Sequence, residues 1–180
     1  MKSYAQRRSK LQEKRAARDM GGSVQKGSGS SAFAKGDFRK VGDIRGECKH
    51  TSKSVYVLKE SDLRKIQKEA LQGGHEDWVM QVEFLGAVGH SRKFAIIDCA
   101  MVAEMWITRP SSYTSSFSDF VYTASKSYRI RVNEMSHKDG LHFTQLTFVE
   151  EAKPLTASKS YAIIPWQAYL DLRKSYLENR

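Results

Sequence analysis

Residues 35–53 place the strongest restriction on how this chain can fold. Asp37 precedes a short polar turn and Glu47-Cys48-Lys49 follows it, a pattern that predicts a β-hairpin. Successive side chains of a strand point to opposite faces, so Glu47 and Lys49 should share one face while Cys48 lies on the other. If Asp37 faces the same side from the partner strand, two carboxylates and an ammonium group meet at one place on the sheet.

Such a cluster has the composition of a site for a hard divalent cation. Carboxylate oxygens are the ligands that Mg2+ and Mn2+ prefer, and a neighbouring lysine adds a fixed positive charge. Metal-assisted cleavage of a phosphodiester needs this combination of groups. We therefore take Asp37, Glu47 and Lys49 as candidate catalytic residues, with a surface ion pair as the simpler explanation of the Glu-x-Lys triplet.

The positive charge of the chain is concentrated in the same region. Residues 1–53 hold 14 Lys and Arg against 5 Asp and Glu, whereas residues 54–180 hold 16 against 15. A basic segment attracts polyanions and gives salt-dependent association with nucleic acid. Its position beside the carboxylate motif favours a nucleic-acid partner over a solvated tail that only confers solubility.

Other features of the composition exclude several classes of protein. The chain has two cysteines, Cys48 and Cys99, too few for a disulfide framework and without zinc-ligand spacing. No apolar run reaches membrane-spanning length, and the charged N-terminus lacks the apolar stretch of a signal peptide. These features predict a cytoplasmic protein without a membrane partner.

The order of the predicted elements indicates an α/β protein. A helix is expected over residues 3–20, a Gly/Ser-rich loop over 23–34, and the hairpin after it. A strand, a helix, two strands and a helix should follow, over residues 54–58, 61–72, 78–84, 93–98 and 100–107. This order implies a mixed central β-sheet flanked by helices.

A polar stretch at residues 111–118 suggests a boundary, with one unit over residues 1–108 and a C-terminal α+β extension over 109–180. The extension could serve dimerisation or grip DNA. Its predicted elements are three strands and a final helix, over residues 128–132, 141–148, 160–164 and 166–177.

The extension also repeats short stretches of the first unit, at offsets of 73, 64 and 67 positions. The repeated pairs are Thr51–Ser54 with Ala124–Ser127, Gln81–Phe84 with Gln145–Phe148, and Lys93–Ile97 with Ser160–Ile164. Because the offsets differ, similar strands matching by chance and a partial duplication both explain the pattern. Glu47 and Lys49 have no counterpart in the second set.

Asp37 and Glu47-x-Lys49, preceded by Glu13 on the first helix and by a Gly/Ser loop, resemble the PD-(D/E)xK nuclease superfamily. Within this superfamily, the order and spacing of these sequence segments resemble those of Holliday junction resolvases of archaeal and phage type. The resemblance covers roughly residues 8–108. Gly36 stands where the family motif has proline, a difference that leaves the carboxylate of Asp37 in place.

The resemblance implies a restriction-endonuclease-like nuclease core and a set of roles. Asp37, Glu47 and the backbone carbonyl of Cys48 would hold Mg2+ or Mn2+, and Glu13 would complete the metal shell directly or through water. Lys49 would orient the attacking hydroxide and stabilise the charge that builds on the phosphate. Contacts with the DNA backbone are expected from further residues of the N-terminal segment: Arg7, Arg8, Arg15, Ser28, Ser30 and Lys35.

Together these observations predict a Mg2+-dependent endodeoxyribonuclease that resolves four-way (Holliday) junctions by paired nicks. Because paired nicks need two active sites, branched DNA and a two-fold symmetric homodimer are the expected partners. The alternatives are another nuclease of the same superfamily, acting on duplex or flap DNA, and a basic DNA-binding protein without catalysis.

Overall fold

An eight-stranded mixed β-sheet forms the centre of the protein. The computed structural model describes residues 3–25, 37–85, 91–111, 120–131, 144–149 and 159–180. Within these ranges the helices are α1 (Tyr4–Asp19), α2 (Glu60–Gln72), α3 (Cys99–Ile107) and α4 (Trp166–Glu178). The strands are β1 (Ser23–Val24), β2 (Phe38–Lys40), β3 (Ile44–Thr51), β4 (Val55–Lys59), β5 (Asp77–Leu85), β6 (Ser91–Asp98), β7 (Phe120–Ala124), β8 (Ser127–Arg131), β9 (Thr144–Phe148) and β10 (Lys159–Pro165).

The strands lie in the order β1-β2-β3-β5-β6-β10-β9-β7 across the sheet. The pairs β3–β5 and β7–β9 are parallel, and the other neighbours are antiparallel. Strands β4 and β8 form a separate two-stranded antiparallel ribbon. The prediction of a mixed central sheet flanked by helices is confirmed.

Two apolar cores cover the two sides of this sheet. Side chains of α1, α3 and α4 pack on one side, which we call the α1 face. Side chains of α2 and of the β4–β8 ribbon pack on the other, which we call the ribbon face. Burying both faces explains why the central strands β5 and β10 read as nearly continuous apolar runs.

Helix α1 forms where the sequence predicts it. Ser3 caps its N-terminus in a capping box with Gln6, which satisfies two backbone N–H groups that would otherwise lack partners. The helix buries Gln12, Ala16 and Ala17 and packs against β1, β2 and β3. It is thereby fixed beside the hairpin that carries the candidate catalytic residues.

Three details differ from the prediction. Strand β4 belongs to the ribbon and not to the central sheet, since its partner β8 comes from the far end of the sequence. Helix α2 begins at Glu60, one residue before the predicted start; its N-cap Lys59 makes no side-chain cap hydrogen bond, and the Glu60 backbone N–H donates to the Lys126 carbonyl oxygen. Strand β7 was not predicted, and it follows directly on the polar stretch that suggested a boundary.

The described part of residues 109–180 continues the same sheet. Residues 161–165 of strand β10 pair with β6, and α4 packs against α3. From α4, the buried Arg173 side chain donates a 3.0 Å hydrogen bond to Asp77 and forms an ion pair with Asp43. A division after residue 108 therefore separates two parts of one sheet.

Candidate functional site

The β2–β3 hairpin owes its tight fit to a glycine. Phe38 pairs with Gly46, and a Cβ atom at position 46 would lie 1.9 Å from the Phe38 ring. Gly42, with a φ of 72°, supplies the left-handed residue of the turn. The Phe38 ring therefore packs directly on the backbone of β3. This contact holds the preceding residue, Asp37, at the edge of that strand.

The Asp37 carboxylate accepts a backbone hydrogen bond that a carbonyl of a neighbouring strand would otherwise accept. Its Oδ2 accepts a 2.7 Å hydrogen bond from the Cys48 backbone N–H, and the Asp37 N–H donates to the Gly46 carbonyl oxygen at 2.9 Å. Asp37 thus lies beside Glu47-Cys48-Lys49, as the hairpin pattern predicts.

Glu47 and Lys49 occupy the same face of β3. The Lys49 Nζ atom lies 2.7 Å from Glu47 Oε1, while Cys48 points into the core on the α1 face. The side chains of Glu47 and Lys49 keep 22% and 37% of their surface exposed, so the pair remains open to solvent and to a ligand. The expected alternation of these three side chains is confirmed.

Several negative charges act on Asp37. Burial, and after it the charges of Glu47 and Glu13, raise the pKa of its carboxyl to about 6. The hydrogen bond from Cys48 and the charge of Lys49 oppose it. Three carboxylates and one ammonium group therefore lie close enough to influence one another at the end of the hairpin.

Helix α1 brings Glu13 to this place through its neighbour Gln12. The buried Gln12 amide donates to the Lys49 carbonyl oxygen at 2.9 Å and to Gln81 Oε1 at 3.1 Å. Glu13 Oε1 accepts a 3.0 Å hydrogen bond from Ser9 one turn earlier. Sequence reasoning missed Gln12, although it lies four residues before the buried Ala16 and so belongs to the packed stripe of the helix.

The ribbon adds Tyr56 to the surroundings of Lys49. Burial raises the pKa of the Tyr56 phenol, and the nearby Lys49 ammonium opposes that rise. Burial lowers the pKa of Lys49, but its contact with Glu47 outweighs burial and leaves the pKa above its ordinary value. Lys49 therefore stays cationic. Nothing in the sequence places Tyr56 here, because β4 reaches the site through its pairing with the distant β8.

Cys48 is unsuited to act as a nucleophile. Burial raises the pKa of its thiol well above the ordinary value, and the negative charges of Asp37 and Glu13 raise it further. Its side chain belongs to the apolar core, and only its backbone is available at the site.

The donor atoms suit a hard cation. Within the described ranges, no three His, Cys, Asp or Glu side chains are arranged to hold a metal ion. The predicted set consists of the carboxylates of Asp37 and Glu47 and the Cys48 carbonyl oxygen, with Glu13 directly or through water. Mg2+ commonly completes such a set with water and substrate phosphate. The repulsion that raises the Asp37 pKa is what a bound dication would relieve. We therefore regard the residues as fitting Mg2+ or Mn2+.

The proposed DNA contacts fall into two groups. Arg7, Arg8 and Arg15 lie on α1, with Arg7 exposed and the other two half-buried. Ser28, Ser30 and Lys35 lie outside the described residues.

Comparisons with protein families, with curated proteins and with solved structures return no match for this chain. In the part of the chain that the structure describes, no helix is long and apolar enough to cross a membrane.

Proposed function

We propose that this protein is a metal-dependent DNA endonuclease. The observation that carries the proposal is the cluster at the end of the hairpin, where Asp37 lies within the electrostatic reach of Glu13, Glu47 and Lys49. Convergent carboxylates with a perturbed pKa beside a fixed cation are typical of catalytic sites. The surplus of positive charge in residues 1–53 supports a polyanionic substrate.

Each residue of the cluster has a distinct part in the proposed reaction. Asp37, Glu47 and the Cys48 carbonyl oxygen would hold Mg2+ or Mn2+, with Glu13 reaching it directly or through water. The bound ion would supply a hydroxide at neutral pH and neutralise charge on the phosphate. Lys49, kept cationic by Glu47, would position the attacking hydroxide and stabilise the extra negative charge of the transition state. The hydrogen bond from Gln12 to the Lys49 carbonyl oxygen fixes the position of α1 relative to Lys49.

We further propose a four-way DNA junction as the preferred substrate, cut by paired nicks. The motif resemblance and the basic N-terminal helix support this choice. The described chain carries one such cluster, so two nicks on opposed strands would require two chains and hence a homodimer. A nuclease of the same superfamily that cuts duplex or flap DNA is the second candidate, supported by the same cluster.

Cleavage of labelled four-way, flap and linear DNA, each with and without Mg2+, tests the proposal. We expect nicks that require the metal and that fall on opposed strands of the four-way junction. Sedimentation of the protein measures its oligomeric state in the same buffer. DNA binding without metal-dependent nicking would overturn the enzyme, whereas equal cutting of junctions and linear duplex by a monomer would overturn only the resolvase.

A further inference from the structure

The centre of the sheet is symmetric about one residue pair. Strands β6 and β10 run antiparallel with Ile96 opposite Ile163. The repeated stretches Lys93–Ile97 and Ser160–Ile164 align these same two residues, 67 positions apart. Ile97 lies opposite Ala162, and their counterparts Ile164 and Ala95 also lie opposite each other. The two repeats are therefore related by a two-fold axis that passes between Ile96 and Ile163.

The neighbouring strands β5 and β9 are related by the same axis. In the β5–β6 pair Gln81 lies opposite Ala95, and in the β9–β10 pair Gln145 lies opposite Ala162. The sequence repeats align Gln81 with Gln145, at an offset of 64 positions, and Ala95 with Ala162. Two different offsets thus give one consistent arrangement in space.

The outer strands complete the correspondence. Cys48 of β3 pairs in parallel with Gln81, and Val121 of β7 pairs in parallel with Gln145. Cys48 and Val121 lie 73 positions apart, which is the offset between the repeated stretches Thr51–Ser54 and Ala124–Ser127. Helices α3 and α4 follow β6 and β10 in the same way. Agreement of the three offsets with the strand register favours duplication over a chance resemblance of strands.

The ribbon lies across the axis. Tyr56 pairs with Ile130, and Leu58 pairs with Tyr128. An offset of 72 positions, one fewer than in the Ser-Lys-Ser repeat, maps each of these inward-facing pairs onto the other, so β4 and β8 are also counterparts. The Ser-Lys-Ser turns that precede the two strands hold Lys53 and Lys126 at opposite ends of the ribbon.

The outward side of the ribbon is basic. Tyr56, Leu58, Tyr128 and Ile130 point toward the sheet, whereas the alternate residues point outward. The described stretches 51–59 and 120–131 contain no Asp or Glu. The exposed cations of this surface are Lys53, Lys59, Lys126, Arg129 and Arg131.

We infer that residues 120–178 are a second, catalytically silent copy of the unit that holds the candidate site, and that the ribbon is a two-fold DNA-binding surface shared by both copies. In the second copy, Phe120 and Tyr122 occupy the positions of Glu47 and Lys49. The ribbon adjoins the candidate site through Tyr56, whose phenol lies near Lys49. The choice of DNA as the ligand rests on the proposed function. The five exposed cations outnumber the one neighbouring carboxylate, Glu60, which lies beside Lys59 and Lys126, so the surface is complementary to two phosphate backbones related by a dyad.

Binding of duplex and four-way DNA without metal, measured by fluorescence anisotropy over a range of salt concentrations, tests this inference. The variants are Lys53→Ala, Lys126→Ala and the double variant. Lys174→Ala is the control, because this lysine is 76% exposed on α4, at the opposite face of the sheet. Unchanged thermal unfolding would show that each variant folds.

We expect both single variants to weaken binding equally and to reduce the slope of log affinity against log salt by about 0.9 for each lost phosphate contact. The double variant should lose both contributions, and the control should bind like wild type. Loss from Lys53→Ala alone would overturn the two-fold surface, and wild-type binding by all variants would overturn the ribbon as a DNA site. Because no metal is present, neither outcome depends on catalysis, which the cleavage of DNA at saturating protein measures separately.

Discussion

Asp37 Oδ2 accepts a 2.7 Å hydrogen bond from the backbone N–H of Cys48, the residue between Glu47 and Lys49. An asparagine at position 37 can still accept this bond through its amide oxygen, but it lacks the negative charge. The contact therefore allows the structural and the electrostatic parts of Asp37 to be separated.

We expect Asp37→Asn to reduce metal-dependent cleavage at least about 100-fold, the range observed when one charge-stabilising group is removed from an active site. Binding of DNA should persist or become tighter, because a carboxylate that repels phosphate is gone. Single-turnover cleavage and metal-free binding measure the two effects. Asp171→Asn, on α4, should match wild type. Wild-type cleavage by Asp37→Asn would show that the cluster is not the active site.

Because the pKa of Asp37 is raised, the stability of the folded state should change with pH in a definite direction. In the metal-free protein, burial raises the pKa of this carboxyl to about 6, above its ordinary value of 3.8. The folded state therefore holds this proton more tightly than the unfolded state, and the associated stability is present at low pH and lost as the pH rises through about 6.

Urea unfolding of wild type and Asp37→Asn at several pH values tests this dependence. Without metal, the stability of the variant relative to wild type should increase from pH 4 to pH 7, and Mg2+ should stabilise wild type more than the variant at pH 7. A difference that does not change with pH would mean that the Asp37 pKa is ordinary.

Gln12 joins the helix that carries Glu13 to the strand that carries Lys49. We expect Gln12→Ala to lower the free energy of unfolding by about 1–3 kcal/mol, because the partly buried Lys49 carbonyl oxygen and the buried Gln81 amide oxygen lose a partner. Gln167→Ala, which removes an exposed glutamine of α4, is the matched control. Chemical denaturation gives the stability, and cleavage at saturating metal shows whether Glu13 has moved. An unchanged free energy of unfolding would contradict the role of Gln12 as an anchor.

Arg173 connects α4 with the start of two central strands through Asp43 and Asp77. Replacing it by methionine should cost about 3 kcal/mol or more, since two half-buried carboxylates would lose their shared cation. Arg180→Met removes an exposed pair with Glu76 and should leave stability near that of wild type. Thermal and urea unfolding compare the two variants. Equal stability of both would mean that the Arg173 network contributes little.

The sequence predicted the hairpin and the shared face of Glu47 and Lys49, because strand alternation and a polar turn are local properties. The bounds of α1 were predictable for the same reason, since its cap and its buried stripe are encoded within one segment. Gln12 and Tyr56 could not be placed, because their positions depend on a helix docking on β3 and on a strand pairing across the chain. The repeats were visible in the sequence, but three unequal offsets gained meaning only from the strand register.

The pairing of β6 with β10 has a consequence for the origin of the polypeptide and for its folding during synthesis. The edge of β6 is closed by a strand that begins only at Lys159 and that belongs to the second copy. An ancestor of half the length would have needed another molecule to close that edge, in the same register about Ile96. In this protein the second copy supplies that partner within one chain. During synthesis, a nascent first half still presents the open edge until β10 emerges, so fragments ending near residue 108 should self-associate through β6.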